Sequence, residues 1–481
     1  MVGDAGRGVC ASTHRRIAPG NFIVRVMRSF DAIVVGTGQA GPALAARLAA
    51  AGQKVAVVER AAFGGTCVND GCTPTKAMVA SAYAAFLARR AGDYGVRVAS
   101  SSVDFAAVMA RKDKIVAASS SGVEKWMQKS ATVFRGHARF AGPDAVEVNG
   151  EVLGAERIFL NVGGRPLVPD MPGIGSVPYL TNQSMMTLAS LPEHLVIVGG
   201  SYIGLEFGQV MRRLGSRVTV VEMGPRLVGR EDEDVSAAIQ AFLEAEGIEV
   251  VLNAKCLSAE KEGSGVAIGV ACADGAPRLS GSHLLLAVGR VPNTSDLGLD
   301  KAGVNLDARG YVEVDAGLRT SNPRVWALGD CNGKGAFTHT AYNDYEIVAD
   351  NLLNNAARKW TDRVPVYALY TDPPLGRVGM NEAEIRKAGL KALVGKRPMT
   401  RVSRAVEKGE TLGFLKVYVE ESSRRILGAS LLGTSADEVV HSLIDAVYAG
   451  VKVEEFQRRV RIHPNVSELL PTVMEELRPL S

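Results

Sequence analysis

One local pattern occurs twice in this chain, and it limits the possible folds more than any other feature. Residues 31 to 59, DAIVVGTGQAGPALAARLAAAGQKVAVVE, read as strand, glycine turn, helix and second strand. DAIVV is a short apolar run suited to a strand buried on both faces. The turn supplies Gly36, Gly38 and Gly41. In such a unit the first glycine makes the tight turn and the second lets the backbone approach a pyrophosphate. The third lets the helix pack closely on the strand. The helix N-terminus then presents free N–H groups and a partial positive charge to the phosphates. Glu59 closes the second strand, where a carboxylate can bind ribose hydroxyls.

Residues 195 to 222, LVIVGGSYIGLEFGQVMRRLGSRVTVVE, repeat the unit: Gly36, Gly52 and Glu59 recur at the same offsets as Gly199, Gly215 and Glu222. Gly204 holds the third glycine position, and Ser201 replaces the middle glycine. Serine is small and keeps its backbone N–H, so binding is expected to survive. Two nucleotide sites are therefore expected. Glu222 favours an unphosphorylated ribose, hence NADH, because a 2′-phosphate would meet like charge. Arg217 and Arg226 lie near enough in sequence to leave NADPH possible.

Length allows two to four domains, since the chain has 481 residues. A net charge of +4 is small for that length and argues against a nucleic-acid binder. No run of 18 apolar residues appears, so no membrane span is expected. Residues 1 to 28 carry five arginines against one aspartate but lack the apolar stretch of a secretory signal. They read as a disordered leader or an upstream start.

Only six cysteines occur, and two of them, Cys67 and Cys72, share the stretch GGTCVNDGCTPTK, 64 to 76. A zinc site would want a second pair or nearby histidines at ligand spacing, so no metal site is expected. Two structural thiols could fall together, although the glycine-rich flanks count against that. The remaining reading is a redox disulfide at a helix start, in a reducing, cytoplasmic compartment. Gly71 lets the chain turn, Pro74 suits an early helical position, and AMVASAYAAFLARR continues the helix. Residues five apart on a regular helix lie roughly 140° apart, so the pair bridges only if the first turn is distorted. Cys72, nearer the helix, should have its thiolate stabilised by the helix dipole. Lys76, four residues on, shares its face.

The stretch resembles the redox-active segment of the flavin-dependent pyridine nucleotide–disulfide oxidoreductases. The likeness runs from Phe30 to the C-terminal end. NVGGRP (161–166) and LLLAVGRVPNT (284–294) resemble the crossovers between the FAD and NAD domains. RVWALGDCNG (324–333) resembles the second FAD motif, and RIHPNVSELLP (461–471) the His-Pro motif of the interface domain. The resemblance implies an α/β fold: two Rossmann-like domains, one binding FAD and one NAD(P), with a C-terminal α+β dimerisation domain. The boundaries it implies are an FAD domain over 29–165, an NAD(P) domain over 166–290, a return to FAD-binding segments over 291–361 and an interface domain over 362–481.

It also implies residue roles. Cys72 would touch the flavin and form a charge-transfer complex with it, and Cys67 would attack substrate. His463 would serve as acid/base with Glu468 orienting it, both reaching the other subunit of a homodimer with shared active sites. Lys76 would sit near flavin N5, paired with Glu206. Tyr202 would cover the flavin where nicotinamide enters, and Asp330 would bind the ribityl chain. His441 and His339 read as packing residues, and Cys331 likewise. Asp70, where an apolar residue is usual, is expected to oppose thiolate formation and lower the disulfide's potential.

TDPPLGRVGMNE (371–382) lies closest to the mercuric-reductase-like group, which includes reductases of reactive-chlorine resistance. The chain ends in ELRPLS, without the cysteine pair of authentic mercuric reductases. The acceptor would be a small disulfide, a metal ion or an oxidant. Dihydrolipoyl dehydrogenase is the alternative within the family, and an NADH-binding redox sensor without turnover is the alternative outside it.

Overall fold

A computed structural model describes residues 27–255, 257–263, 265–270 and 278–480. The leader reading therefore falls almost wholly outside the described residues, as do Cys10, Cys256 and Cys272.

The first unit forms as β1 (Arg28–Val35), α1 (Gly41–Ala50) and β2 (Val55–Glu59). It continues through α2 (Gly65–Asn69), α3 (Cys72–Arg89) and the long α4 (Phe105–Ser130) to β3 (Thr132–Arg135). A meander of β4 (Ala138–Gly142), β5 (Ala145–Val148) and β6 (Glu151–Leu160) follows. The sheet order is β3-β2-β1-β6-β5-β4, with β1 parallel to both β2 and β6. Alternate residues of β1 enter two different cores. Ile33 and Val35 pack with Val58 and Ile158, whereas Ala32 and Val34 pack with Leu44 and Leu48 of α1. Both faces are covered, which is why the buried half of the strand, Ala32 to Val35, is apolar throughout.

The chain leaves through β7 (Gly164–Pro166) and α5 (Asn182–Met185) into the second unit: β8 (His194–Val198), α6 (Tyr202–Leu214), β9 (Arg217–Val221), α7 (Glu233–Ala245) and β10 (Ile248–Val251). An antiparallel ribbon, β11 (Ser258–Glu262), β12 (Gly265–Gly269) and β13 (Arg278–Gly281), precedes β14 (His283–Leu286). The parallel order is β10-β9-β8-β14. β15 (Arg290–Pro292) then pairs antiparallel with β7, so the two crossover segments lie side by side.

From there β16 (Val325–Ala327) returns to the first sheet, parallel to β6, and leads through Asp330 to α8 (Thr338–Asn354). The C-terminal sheet consists of β17 (Val366–Leu369), β18 (Leu375–Gly379), β19 (Ala392–Pro398), β20 (Phe414–Glu420), β21 (Ile426–Leu432) and β22 (Arg478–Pro479), in the order β17-β18-β21-β20-β19-β22. Leu415, Val417, Ala429 and Leu431 share one core with Val439, Leu443 and Ala446 from the helical stretch beside it. His441, expected to pack, is instead exposed, because that helical face is already filled by Val439, Val440 and Leu443. No described helix is long and apolar enough to cross a membrane.

Candidate active site

Both glycine turns have the geometry their sequences call for. A Cβ on Gly36 would lie 2.3 Å from the Asn161 carbonyl oxygen, and one on Gly199 would lie 2.4 Å from that of Ala287. Both residues also have positive φ, 100° and 117°, which glycine alone adopts without strain. The third glycines, Gly41 and Gly204, stand so close to the turns that a Cβ would come within 2.2 and 2.1 Å of the Gly36 and Gly199 carbonyl oxygens. Each unit's carboxylate then ties its own turn. Glu59 accepts from the Thr37 amide (2.8 Å), the Thr37 hydroxyl (2.6 Å) and the Ala61 amide (2.8 Å). Glu222 accepts from the Gly200 and Gly224 amides, both at 2.7 Å. With these protein bonds each carboxylate is fixed in place beside its turn.

The cysteine stretch runs beside the first turn. Gly65 comes so close that its Cβ would lie 2.9 Å from the Cα of Gly38. Cys67 lies on α2 and Cys72 is the first residue of α3. The distortion expected within one helix is therefore a break between two. Gly71 makes that break possible, since a Cβ there would lie 2.7 Å from the Thr66 carbonyl oxygen. Both cysteines are free thiols here. They share a hydrogen bond that pulls Cys72 down from the usual thiol range and pushes Cys67 up. Thr338, 3.3 Å from the Cys72 sulfur, and the Lys76 charge also favour the Cys72 thiolate, against the opposing effect of burial.

Lys76 Nζ lies 2.6 Å from Glu206 Oε2, whose side chain is only 4 % exposed. The ammonium also sits 4.5 Å above the Tyr370 ring, and the Tyr370 amide donates to the other Glu206 oxygen at 3.0 Å. Two cavities meet at this point. One, of about 450 Å³, is lined by Gly36, Gly38, Glu59, both cysteines, Lys76 and Asp330. The other, of about 1960 Å³, is lined by Gly199, Ser201 and Glu222. Tyr202, Ile203, Phe337 and Arg290 belong to both walls, and Tyr202 packs 5.5 Å from Phe337. Asp330 faces Arg290 at 3.6 Å, and burial raises its carboxyl above the usual range.

Burial raises the Asp70 carboxyl, opposed by hydrogen bonds from Gln183 and Thr66 and by the Arg290 charge. Cys331 is fully buried against the Leu160 and Leu328 carbonyls, and burial lifts its thiol to about 12. His339 stacks on Phe337 at 5.3 Å and bonds the Val366 carbonyl at 2.7 Å. His463 stands apart from the cysteines. Its side chain is 75 % exposed and its Nδ1 lies 3.0 Å from Glu468 Oε2. Thr338, Tyr370 and Asn161 went unnoticed in the sequence, because each reaches the site from more than a hundred residues away in the chain. Thr338, just beyond the GDCNG motif, and Asn161, which opens NVGGRP, carried signals that could have been followed. Among the described residues no cluster of three or more His, Cys, Asp or Glu could hold a metal ion.

Comparison with known proteins agrees with this geometry. Residues 30–344 match the pyridine nucleotide-disulphide oxidoreductase family and residues 366–474 match its dimerisation domain. A dihydrolipoyl dehydrogenase of Thermus scotoductus is 34% identical over 94% of this chain and 98% of its own length. A mercuric reductase of Streptomyces lividans is 34% identical over 92% and 94%. The Cu(II) complex of the HOCl-induced flavoprotein disulfide reductase RclA from Escherichia coli superposes with a TM-score of 0.86 at 32% identity, covering 93% of this chain and 99% of that one. With its family match spanning the chain from Phe30 to Met474, the chain belongs to the pyridine nucleotide-disulphide oxidoreductases and is an FAD- and NAD(P)H-dependent enzyme of that family.

Proposed function

We propose that this enzyme passes reducing equivalents from NADH to a small disulfide, metal-ion or oxidant acceptor through Cys67 and Cys72. The observation that carries the reading is the placement of both thiols, with Lys76 and Glu206, in the cavity that meets the larger cleft at Tyr202. Gly36, Gly38, Gly41, Glu59 and Asp330 would hold FAD, and the glycine cradle fits it, because no Cβ can be placed on any of the three glycines and the turn's backbone is left bare for a pyrophosphate to approach. Gly199, Gly204, Tyr202 and Glu222 would hold the dinucleotide. Bound FAD would supply two-electron transfer between nicotinamide and thiols.

The chain's own groups do the rest. Lys76, held by Glu206, places a fixed positive charge beside Cys72. Cys72 is kept as the thiolate by Cys67, Thr338 and Lys76. With a disulfide acceptor, Cys67 gives its proton to His463 of the partner subunit, oriented by Glu468 of the partner subunit, and attacks one sulfur; the leaving thiolate takes that proton, and Cys72 then displaces the second thiolate from Cys67, leaving a Cys67–Cys72 disulfide. A second subunit is supported by the surroundings of His463. Val460 is 98% exposed and Ile462 80%, apolar surface that a partner would cover. The Glu222 carboxylate favours NADH over NADPH, and a reducing cytoplasm suits free thiols.

Steady-state turnover with lipoamide, glutathione disulfide, hypothiocyanite, cupric and mercuric ions under NADH and NADPH tests the reading. Cys67→Ser should lose about 100-fold or more in kcat/KM with the best acceptor, since the attacking nucleophile is gone. Full activity of that variant would overturn the thiol route. Reduction by NADH with no turnover on any acceptor would favour a sensor instead.

A further inference from the structure

The large cleft contains a carboxyl that the proposed reaction does not use. Glu231, 2 % exposed, lies where the NAD-type unit meets the C-terminal sheet. Its carboxyl takes a hydrogen bond from the Tyr367 hydroxyl and one from Ser430 at 3.4 Å, and Arg377 Nε stands 3.9 Å away. The remaining charged groups facing it are Asp232 on its own loop and Lys416 from β20. This network is incomplete. Arg377, 3 % exposed, has Nη2 without a partner among the described residues, and its contact to Glu231 is longer than a hydrogen bond. Burial, opposed by Arg377, lifts the Glu231 carboxyl to about 7.

Glu231 is also connected to both ends of the cleft. Its amide donates to Val228 at 2.7 Å, and the Val228 amide donates to the carbonyl of Gly200, in the glycine turn, at 2.8 Å. Val228 holds φ 41° to make this link, a conformation a β-branched residue avoids. On the other side Tyr367 stacks on Phe337 at 5.6 Å, and Phe337 packs on Tyr202. One buried residue is therefore tied through its amide to the lacing of the turn and through its carboxyl to the aromatic stack at the junction of the cavities.

We propose that Glu231 is a proton-linked positioning residue of the dinucleotide cleft: the cleft takes the anionic dinucleotide with this carboxyl neutral and loses affinity when it ionises. The inference rests on the reading of this cleft as the dinucleotide site. Glu231 lines the same cleft as the glycine turn, so two negative pyrophosphate charges would face an ionised Glu231, and their repulsion is relieved by a proton. Binding then raises the proton affinity of Glu231, and by linkage a rising pH weakens binding. Affinity is full below about pH 7 and falls above it.

The test is stopped-flow reduction of the FAD-loaded enzyme by NADH, whose own phosphates do not titrate near neutrality. The dissociation constant is taken from the concentration dependence of the rate. The limiting rate carries the thiols' titration and is read separately. The wild-type constant should rise about fivefold between about pH 6 and 8.5, whereas Glu231→Gln should hold the low-pH value throughout. A Glu231→Gln variant that follows the wild-type profile overturns the proposal. Ser430→Ala, which removes one donor to the carboxyl, should move the midpoint upward by about half a pH unit; an unmoved midpoint also overturns it. Ser201→Trp separates the two readings. If that variant leaves NADH binding unchanged, the cleft assignment fails and the inference with it. If it weakens binding while Glu231→Gln keeps the wild-type profile, the inference alone fails.

Discussion

The two glycine turns start from one sequence pattern and solve the same problem with different side chains. In the first unit, Asn161 at the end of β6 reaches into the turn. Its Oδ1 accepts the Gly41 amide at 2.9 Å, and its Nδ2 donates to Leu328 at 3.1 Å. That amide group occupies the place where a side chain on residue 38 would go, since a Cβ there would lie 2.9 Å from Asn161 Oδ1. In the second unit the residue after β14 is Ala287, whose carbonyl meets Gly199 as that of Asn161 meets Gly36. It has no amide to put into the turn. Ser201 uses the vacated room, with extended backbone (φ −107°, ψ −175°), and sits directly before α6, which starts at Tyr202 where α1 starts only at Gly41. The middle glycine is thus required by a distant asparagine rather than by the pyrophosphate alone.

Substitutions can break this comparison or sharpen it. The largest effect is expected where the units agree. Gly41→Ala should abolish FAD incorporation, read from the ratio of flavin to protein absorbance. Gly204→Ala should keep the flavin and lose about 100-fold in NADH reduction rate, because each Cβ meets a backbone oxygen that cannot move aside. If the two variants fail in the same way, the units are not independent. Next is Gly38→Ser, which copies the second turn into the first. It should weaken FAD binding about 30-fold by crowding Asn161, an overpacking cost of about 2 kcal/mol. An FAD dissociation constant within about twofold of wild type, measured by fluorescence, would break the argument. Ala287→Asn should weaken NADH binding about tenfold, and adding Ser201→Gly should restore most of it, a coupling that a double-mutant cycle measures. Ser201→Gly alone should be the mildest, within about twofold in NADH affinity.

Much of this was legible in the sequence because it is local. Glycine offsets, the strand-terminal Glu59 and Glu222, and the Cys72-to-Lys76 step all rest on periodicities within one unit. What was not legible depends on contacts across the chain. Asn161 acts on Gly41 from 120 residues away and Thr338 reaches Cys72 from 266, and the motifs beside them do not say which residue each will meet. The pairing of Lys76 with Glu206, 2.6 Å apart, rested only on family likeness in the sequence, as did that of His463 with Glu468, 3.0 Å apart. Gln183 and Arg290, which act on the Asp70 carboxyl, likewise come from far along the chain.

The break at Gly71 has a mechanical consequence. Cys67 and Cys72 ride on separate helices joined at one glycine whose space is closed to any other residue. The bond between the sulfurs then forms and breaks across that joint, while Val68 on one side and Pro74 and Thr75 on the other are buried. The site behaves as a clasp on a short pivot, and the sheets that hold the two nucleotides do not have to flex each time it opens.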